Sequence, residues 1–485
     1  MSITQESLDL IKSAHQDINK AGFNQATGLV NYDLQAPAKL LYPVYTPLRN
    51  SIPRVKGDGD TATRWKQITA INSLNVGAGV SEGQRGSAVT PTLTDKLASY
   101  RSIGLESFVT FEADNAAVGY DDAKARAVEG SLQGLFVQEE RMLLGGNTSL
   151  DLGTTPSPTL TVVGTGGTLS ASINVICVAL TLDGKIASTV AGGVQTTFVR
   201  TNVDSSTDTV GGFHAAKSAT ITATISSGTT NSVTATVTPV AGAAAYAWYF
   251  GAAGSELLGA ITSINSVVIT GVAAGTQNIS AITVNSSKNA MEFDGILTQI
   301  VTSGSGAYVK ALATGTAGVG TVLTSDGAGG ITQIEDAFAG FWDNYKLSPE
   351  KMYVSSTVLL SMNKIIIANG GAPLIRYNLD GTQNMTMEAG TVIRTYLNKI
   401  TNTLVKVEVH PDMPNGMIMF YSEKMPAQFY PYTNVGNILE VKCRKDYYQI
   451  EWPLRTRKYE YGVYSDEVLA CYFTPAYGLI YNIAA

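Results

Sequence analysis

Between Asp121 and Asn147 the chain reads DDAKARAVEGSLQGLFVQEERMLLGGN, and the apolar residues Val128, Leu132, Leu135, Phe136 and Leu143 recur at intervals of three, four or seven. That spacing gathers them on one face of a helix. Asp121 and Asp122 stand where an N-cap and the positive end of the helix dipole favour acids, and Gly145 is placed to leave the helix with positive φ. From Asp121 to Leu144 such a helix would be about 36 Å long at about 1.5 Å per residue. Gly130 and Gly134, inside it, each weaken it by about 1 kcal/mol relative to alanine.

Upstream, Thr61 to Leu74 (TATRWKQITAINSL) and Thr92 to Thr110 (TLTDKLASYRSIGLESFVT) are rich in Thr, Ile, Val and aromatics and mix polar with apolar positions, as extended ribbons do. The glycine-rich stretch GAGVSEGQRG, Gly77 to Gly86, lies between them. Together they predict a long two-stranded arm, which is marginal in water unless it packs on something such as a neighbouring subunit.

Downstream of the helix the composition changes. From Thr154 to Ser287 the only charged residues are Asp183, Lys185, Arg200, Asp204, Asp208, Lys217 and Glu256. Short β-like runs recur there: TLTVVG, SINVICVALTL, ATITATI, SVTATVTPV, AYAWYFG, NSVVITGV and NISAITV. Many short strands separated by turn residues predict a β-sandwich, with Trp248 as its buried aromatic, and no cysteine pair brackets that Trp. Entry through TTPSP and exit through NSSKN suggest an insertion, which a host fold accepts where its two chain ends are close and exposed. Either the insert is a surface decoration that touches host cells, glycans or neighbouring subunits, or it is a spacer with no ligand.

After the insert the pattern is mixed. Thr332 and Glu335 form a T-x-x-E capping box, followed by Ile334, Ala337, Phe338, Phe341, Trp342 and Tyr345 on one helical face. EKMYVSS reads as a strand, TVLLSMNKIIIAN as a helix closed by Gly370 and Gly371, and the rest, from LVKVEVHP through QFYPYT to VLACYFTPAYGLIYNI, as strands.

This order resembles the major capsid proteins of tailed bacteriophages, the Hong Kong 97 fold. FVQEERMLLGGN looks like that family's exit from its long helix, and MEFDGILTQI, Met291 to Ile300, resembles its entry into the central domain. The resemblance implies an α+β fold with an N-terminal arm at 1–50, an extended loop at 51–110, and the spine helix with the start of a peripheral domain at 111–153. An inserted immunoglobulin-like or fibronectin-like sandwich would occupy 154–287, an axial domain 288–410, and the remaining axial strands and peripheral sheet 411–485. It further implies a structural role without enzymatic activity: hexamers and pentamers of one chain in an icosahedral head enclosing double-stranded DNA, located in the virion and assembled in the host cytoplasm. A separate scaffolding protein, a portal and a cement protein are its implied partners. Arg64, Lys66 and Arg85 would serve arm contacts between subunits, and Val128, Leu132, Leu135 and Phe136 would hold the spine helix to its sheet. Some members join subunits through a lysine–asparagine link. Lys56, Lys66 and Lys96 are the arm's candidates, and no link is expected here.

Composition narrows the classes. The chain has 485 residues, a net charge of -6 and 44% hydrophobic residues, enough for two or three domains with cores. No run approaches the roughly 18 to 20 apolar residues of a membrane span, and the first residues lack a signal-peptide layout. Cys177, Cys443 and Cys471 are too few and too scattered for a disulfide framework and read as buried thiols. Mild acidity fits loose enclosure of DNA rather than sequence-specific binding, and the basic clusters Lys442, Arg444, Lys445 and Arg455, Arg457, Lys458 read as intersubunit or solvated positions.

No catalytic, cofactor or metal constellation emerges. His15, His214 and His410 have no ligand spacing. KGDGDTATR lacks the glycine and glutamate of a calcium loop. VGTGG and GTAGVG lack the lysine of a phosphate loop, and Gly79-x-Ser81-x-Gly83 lacks the strand-to-helix turn of a nucleophile elbow. Two other readings stay open. An encapsulin-type compartment would share the fold and add a cargo site, and a cell-surface adhesin would carry a secretion signal and tandem repeats.

Overall fold

The computed structural model describes residues 44–57, 59–71, 77–88, 90–119, 121–202, 204–368, 375–379, 385–389, 393–425 and 436–484. His15, most of the expected N-terminal arm, Gly370, Gly371 and the QFYPYT segment lie outside them. The fold is α+β, and its residues divide into two compact units.

The smaller unit holds Glu106–Gly130 with Glu451–Tyr461. Its helix Phe111–Ala117 begins at Thr110, whose hydroxyl accepts the Ala113 N–H at 3.2 Å. The Phe111 and Tyr459 rings meet at 4.9 Å, and Lys124 sits 2.9 Å from Asp114 and 3.8 Å from the Tyr459 ring centre. Asp122 caps the long helix by accepting the N–H groups of Lys124 and Ala125, both at 3.0 Å.

That helix runs Ala123–Gly145. Its end departs from the expectation: neither Gly145 nor Gly146 has positive φ. Both glycines are there for space. A Cβ on Gly145 would stand 2.4 Å from the Leu182 side chain, and one on Gly146 would stand 2.5 Å from the Phe293 carbonyl. The backbone of MEFDGILTQI lies directly against this point, where Gly295 N–H and the Thr298 hydroxyl both donate to the Gly146 carbonyl, at 2.8 and 2.7 Å. The two segments that carry the family resemblance therefore touch each other.

The arm is shorter than the sequence suggests. Ala62–Ile71 pairs antiparallel with Pro91–Ser99, but Tyr100 breaks the second ribbon. Arg101–Thr110 instead joins a four-stranded sheet in the order Arg54–Lys56, Leu439–Glu451, Lys458–Cys471, Arg101–Thr110. Arg54–Lys56, expected within the extended loop, pairs parallel with Leu439–Glu451.

The main core lies between a six-stranded sheet and its helices. The sheet runs Tyr308–Ala311, Gly478–Tyr481, Ile418–Tyr421, Lys351–Val354, Thr403–Val409, Thr395–Asn398. Helix Thr332–Tyr345 buries Ile334, Ala337, Phe338 and Phe341, and Phe338 and Phe341 meet Phe420 edge-on at 5.9 and 5.5 Å. The capping box does not form. Thr332 is already helical, Ile331 precedes it, and Glu335 accepts instead from the Tyr396 hydroxyl at 3.0 Å. The two donors a box would serve are engaged elsewhere, Thr332 N–H by the Thr324 carbonyl at 2.9 Å and Glu335 N–H by the Ile331 carbonyl at 3.0 Å.

Residues 159–269 contribute two larger antiparallel sheets, beside the two-stranded pair Phe198–Thr201 and Thr207–Val210. One is Thr159–Val163, Ser232–Thr236, Ser266–Ile269, with Ser232–Thr236 in the middle, and the other runs Leu257–Thr262, Ala245–Gly251, Ile173–Leu180, Ile221–Ala223. Val233, Ala235, Val267 and Ile269 from the first share an apolar cluster with Val175, Cys177, Tyr246, Trp248 and Phe250 from the second. Trp248 is fully buried and donates its indole N–H to Thr262 at 2.9 Å. The opposite face of the second sheet is also covered, Ile176, Val178, Ala247 and Tyr249 meeting Leu258, Ile279 and Ile282. Burial on both faces explains why VICVAL, Val175 to Leu180, and AYAWYFG are continuously apolar. Two local readings fail. The residues after SINVICVAL turn into the helix Leu182–Ala187, capped by Thr181, and NISAITV forms a 3-10 turn at Ile279–Ala281 rather than a strand.

The ends of this segment meet. The Asn147 amide donates to the Ser287 carbonyl at 2.8 Å, Leu152 N–H donates to the Ser287 hydroxyl at 3.1 Å, and Asn289 N–H donates to the Asn147 carbonyl at 2.7 Å.

Gly146→Ala should therefore cost about 3 kcal/mol, since the new methyl meets backbone that cannot yield. Gly130→Ala meets nothing within 4 Å and should stabilise by about 0.5 to 1 kcal/mol. Urea midpoints of the two variants, moving in opposite directions, check both.

Candidate functional site at the buried ionic junction

The last turns of the long helix carry two adjacent carboxylates, Glu139 and Glu140, both essentially free of solvent contact. Spacing explains their burial: Leu135, Glu139 and Leu143 lie four residues apart and share one stripe. A carboxylate on such a stripe needs partners, and each has found several.

Glu140 serves the short helix Pro47–Ser51. Pro47, at its start, has no N–H, and Thr46 makes no side-chain cap. The next two donors are satisfied from ninety residues away, Leu48 N–H by Glu140 Oε1 at 2.9 Å and Arg49 N–H by Oε2 at 2.8 Å. His410 completes the set, with Nε2 at 2.7 Å from Glu140 Oε1. Because His410 Nδ1 accepts the Asp412 N–H at 3.2 Å, the ring hydrogen belongs on Nε2 and is donated to Glu140. The His410 ring also stands edge-on to Tyr353 at 5.9 Å.

Glu139 accepts from Arg54, from the Tyr447 hydroxyl and from Arg49 Nε, the last at 3.2 Å. Arg54 bridges onward, its Nη2 donating to Glu467 at 2.6 Å, Asp446 at 2.8 Å and Ser465 at 3.1 Å. The Arg49 guanidinium lies 3.6 Å over the Phe136 ring, and Arg54 lies 4.3 Å over Tyr447. Burial by itself would lower the Arg54 pKa, but Glu467 and then Glu139 outweigh it and hold the guanidinium above its ordinary value. Burial, followed by repulsion from Glu139, lifts the Glu467 carboxyl to about 7 against the pull of Arg54. Burial and then Glu139 also raise Tyr447. One oxygen of Glu467, Oε1, is buried without a hydrogen-bond partner among the described residues.

This arrangement fastens the chain segment 44–56 to the helix and to two long strands, and it offers no reactive group. Its two guanidinium groups, Arg49 and Arg54, are paired with acids rather than open to a substrate. Among the described residues no group of three or more His, Cys, Asp or Glu side chains is placed to hold a metal ion, and no helix is long and apolar enough to cross a membrane. Cys443 and Cys471 are buried thiols, each pushed up to about 12 chiefly by burial.

The residues singled out from sequence fall in three places. Arg64, Lys66 and Arg85 are exposed on the arm, and Lys66 stands 3.7 Å from Asp95. Leu135 is buried, whereas Val128, Leu132 and Phe136 are half-buried. Trp248 sits in the two-sheet core. The basic clusters are largely paired within the chain, with Lys442 at 3.1 Å from Glu440, Arg444 at 3.1 Å from Asp466 and Arg457 at 2.8 Å from Glu112. His214 is buried, its Nδ1 2.9 Å from the Ala215 carbonyl. Sequence reasoning missed Glu139, Glu140, Arg49, Arg54, His410, Tyr447 and Glu467. The legible signal was an acid pair set among Leu135, Phe136, Leu143 and Leu144.

No protein-family model matches this sequence, and no curated protein does. Among solved structures, the chain is similar to the capsid of the native GTA particle at 8% identity and a TM-score of 0.43, over 94% of this chain and 96% of that one. It is similar to the capsid of Myoviridae phage XM1 at 9% identity and a TM-score of 0.42, over 93% and 96%. It is also similar to the SrpI encapsulin of Synechococcus elongatus PCC 7942 at 8% identity and a TM-score of 0.38, over 94% and 93%.

Two outcomes test the junction. Glu140→Ala leaves two buried N–H donors and His410 without their acceptor and should cost about 3 kcal/mol in chemical denaturation. Glu467 binds its proton more tightly when folded than the usual 4.5, so its contribution is fully present below pH 4.5 and is lost as pH rises through about 7. Glu467→Gln removes that loss, and its stability relative to the unmodified chain should rise between pH 5 and pH 8 by on the order of 3 kcal/mol. A pH-independent difference would contradict this assignment.

Proposed function

We propose that this chain is a shell-forming structural protein of the Hong Kong 97-like class, the major capsid protein of a tailed bacteriophage, without enzymatic activity. The observation that carries the reading is the arm. Its outward face presents Leu93 and Leu97, 57% and 59% exposed, in register with Ile68 and Arg64. Lys66 and Asp95 lie between them on the same face. A two-stranded ribbon with that surface is complete only when another surface covers it. The order of elements supports the same reading: ribbon, then long helix, then a sheet-and-helix body closed by the last strands.

In this reading copies of the chain form hexamers and pentamers of an icosahedral head, with Arg64, Lys66 and Arg85 among the arm contacts. Many modest interfaces repeated around closed rings make a durable shell. The head encloses double-stranded DNA without reading its sequence, consistent with a net charge of -6, and it is built in the host cytoplasm with a separate scaffolding protein, a portal and a cement protein. Residues 154–287 are an inserted immunoglobulin-like sandwich displayed on the outer surface, and their adjoining ends at Asn147 and Ser287 suit an insertion.

Electron microscopy of the chain expressed alone and with a scaffolding protein from the same source should reveal closed shells or capsomer rings. Leu93→Ser with Leu97→Ser should leave the unassembled chain folded and raise the concentration needed for assembly at least tenfold. Monodisperse monomers under every condition would overturn the reading, and shells that load protein cargo in place of DNA would favour the encapsulin alternative.

A further inference from the structure

Under the root of the arm lies a cleft of about 310 Å³. Trp65 and Lys96 stand directly opposite one another on the ribbon and so share its inward face. The Trp65 ring meets Tyr472 edge-on at 5.5 Å, and Gln67, on the same face, donates to the Tyr472 carbonyl. The arm root is thereby held against the body while Lys96 and Arg101 line the cleft.

The chemistry of the lining is one-sided. Trp65 Nε1 is buried without an acceptor among the described residues. Arg101 donates through Nε to the Glu292 carbonyl at 3.1 Å, which leaves the guanidinium's other donors available, and neither Arg101 nor Lys96 has an acid partner among the described residues. Asp294, the one acid in the lining, is already engaged, its Oδ1 accepting the N–H groups of Thr148 and Ser149 at 2.9 and 3.0 Å. The cleft therefore holds two cations and a buried indole donor against the single carboxylate of Asp294, an excess of one positive charge.

We infer that this cleft is a binding site for a carboxylate, supplied by an acidic side chain of a second copy of the chain. The inference rests on the shell-forming reading and deepens it. A second copy is the fitting source because the chain carries 39 acids against 33 lysines and arginines, so each copy brings a surplus of carboxylates to its neighbour. The cleft also adjoins the ribbon whose outer face is proposed to meet that neighbour. A carboxylate seated there gains charge-assisted bonds from Lys96 and Arg101 in a partly desolvated setting.

The test uses particles co-assembled from ¹⁴N and ¹⁵N copies and treated with a zero-length carbodiimide, followed by peptide mass spectrometry. Lys96 should be joined to an Asp or Glu of a differently labelled copy, and Lys96→Glu should raise the assembly concentration at least tenfold while the melting temperature of the unassembled chain stays unchanged. Well-formed particles in which Lys96 couples only within its own chain, or not at all, would overturn the site and leave the shell reading standing. So would Lys96→Glu assembling like the unmodified chain, or inorganic phosphate binding at Lys96 in place of a coupled carboxylate. Absence of particles would remove the shell reading and this site with it.

Discussion

The constraint on which the rest of the structure depends is the burial of the Arg54 guanidinium between Glu139 and Glu467. None of these charges can leave water alone, since an unpaired buried ion costs several kcal/mol. They belong to a three-residue strand, a long helix and a long strand, elements remote in sequence, so each must be in place before the others can be. A replacement by well-packed apolar side chains could be equally stable. What the ions add is selectivity: Arg54 reaches both acids only if its strand pairs with Leu439–Glu451 in the observed register. Glu140 applies the same logic to backbone, lending a cap to a helix whose own N-cap residue provides none.

Much of the architecture was legible because it follows from local rules. The long helix, the ribbon pair at 62–71 and 91–99, the amphipathic helix beginning at Thr332 and the run of short strands around Trp248 all follow from periodicity and turn residues. What escaped were features decided by partners far along the chain. Nothing near Tyr100 announces that one ribbon ends there and a different sheet begins. Gly145 and Gly146 follow the pattern of a helix stop, yet the reason for them is the Phe293 carbonyl and the Leu182 side chain. The T-x-x-E at Thr332 is a sound local signal overruled by the Thr324 and Ile331 carbonyls, which accept from the same two donors. The ionic junction was hidden for the same reason, because an acid pair near a helix end reads as solvated until Arg54, Tyr447 and His410 are brought beside it.

Within the chain, apolar burial is unevenly distributed. The six-stranded sheet buries Met352, Tyr353, Ile418 and Phe420 and the paired sheets bury Val175, Val233 and Trp248, whereas the arm keeps Leu93 and Leu97 in water on the same face as Arg64, Lys66 and Asp95. The ribbon's described hold on the body is at its root, where Trp65 meets Tyr472 and Gln67 donates to the Tyr472 carbonyl, so it opens at lower cost than the sheets to which it is attached.

The neck at Asn147, Ser287 and Asn289 has a consequence for how the chain can vary. Where two strands of chain are pinned side by side, the closure entropy of whatever lies between them grows only slowly with its length. Extra residues in a solvent-facing loop between these two points should therefore disturb the neck little. What cannot change freely is what the segment holds beyond the neck: Leu182 packed against Gly145, and Asn265, whose backbone N–H donates to the Asn482 side chain at 3.3 Å.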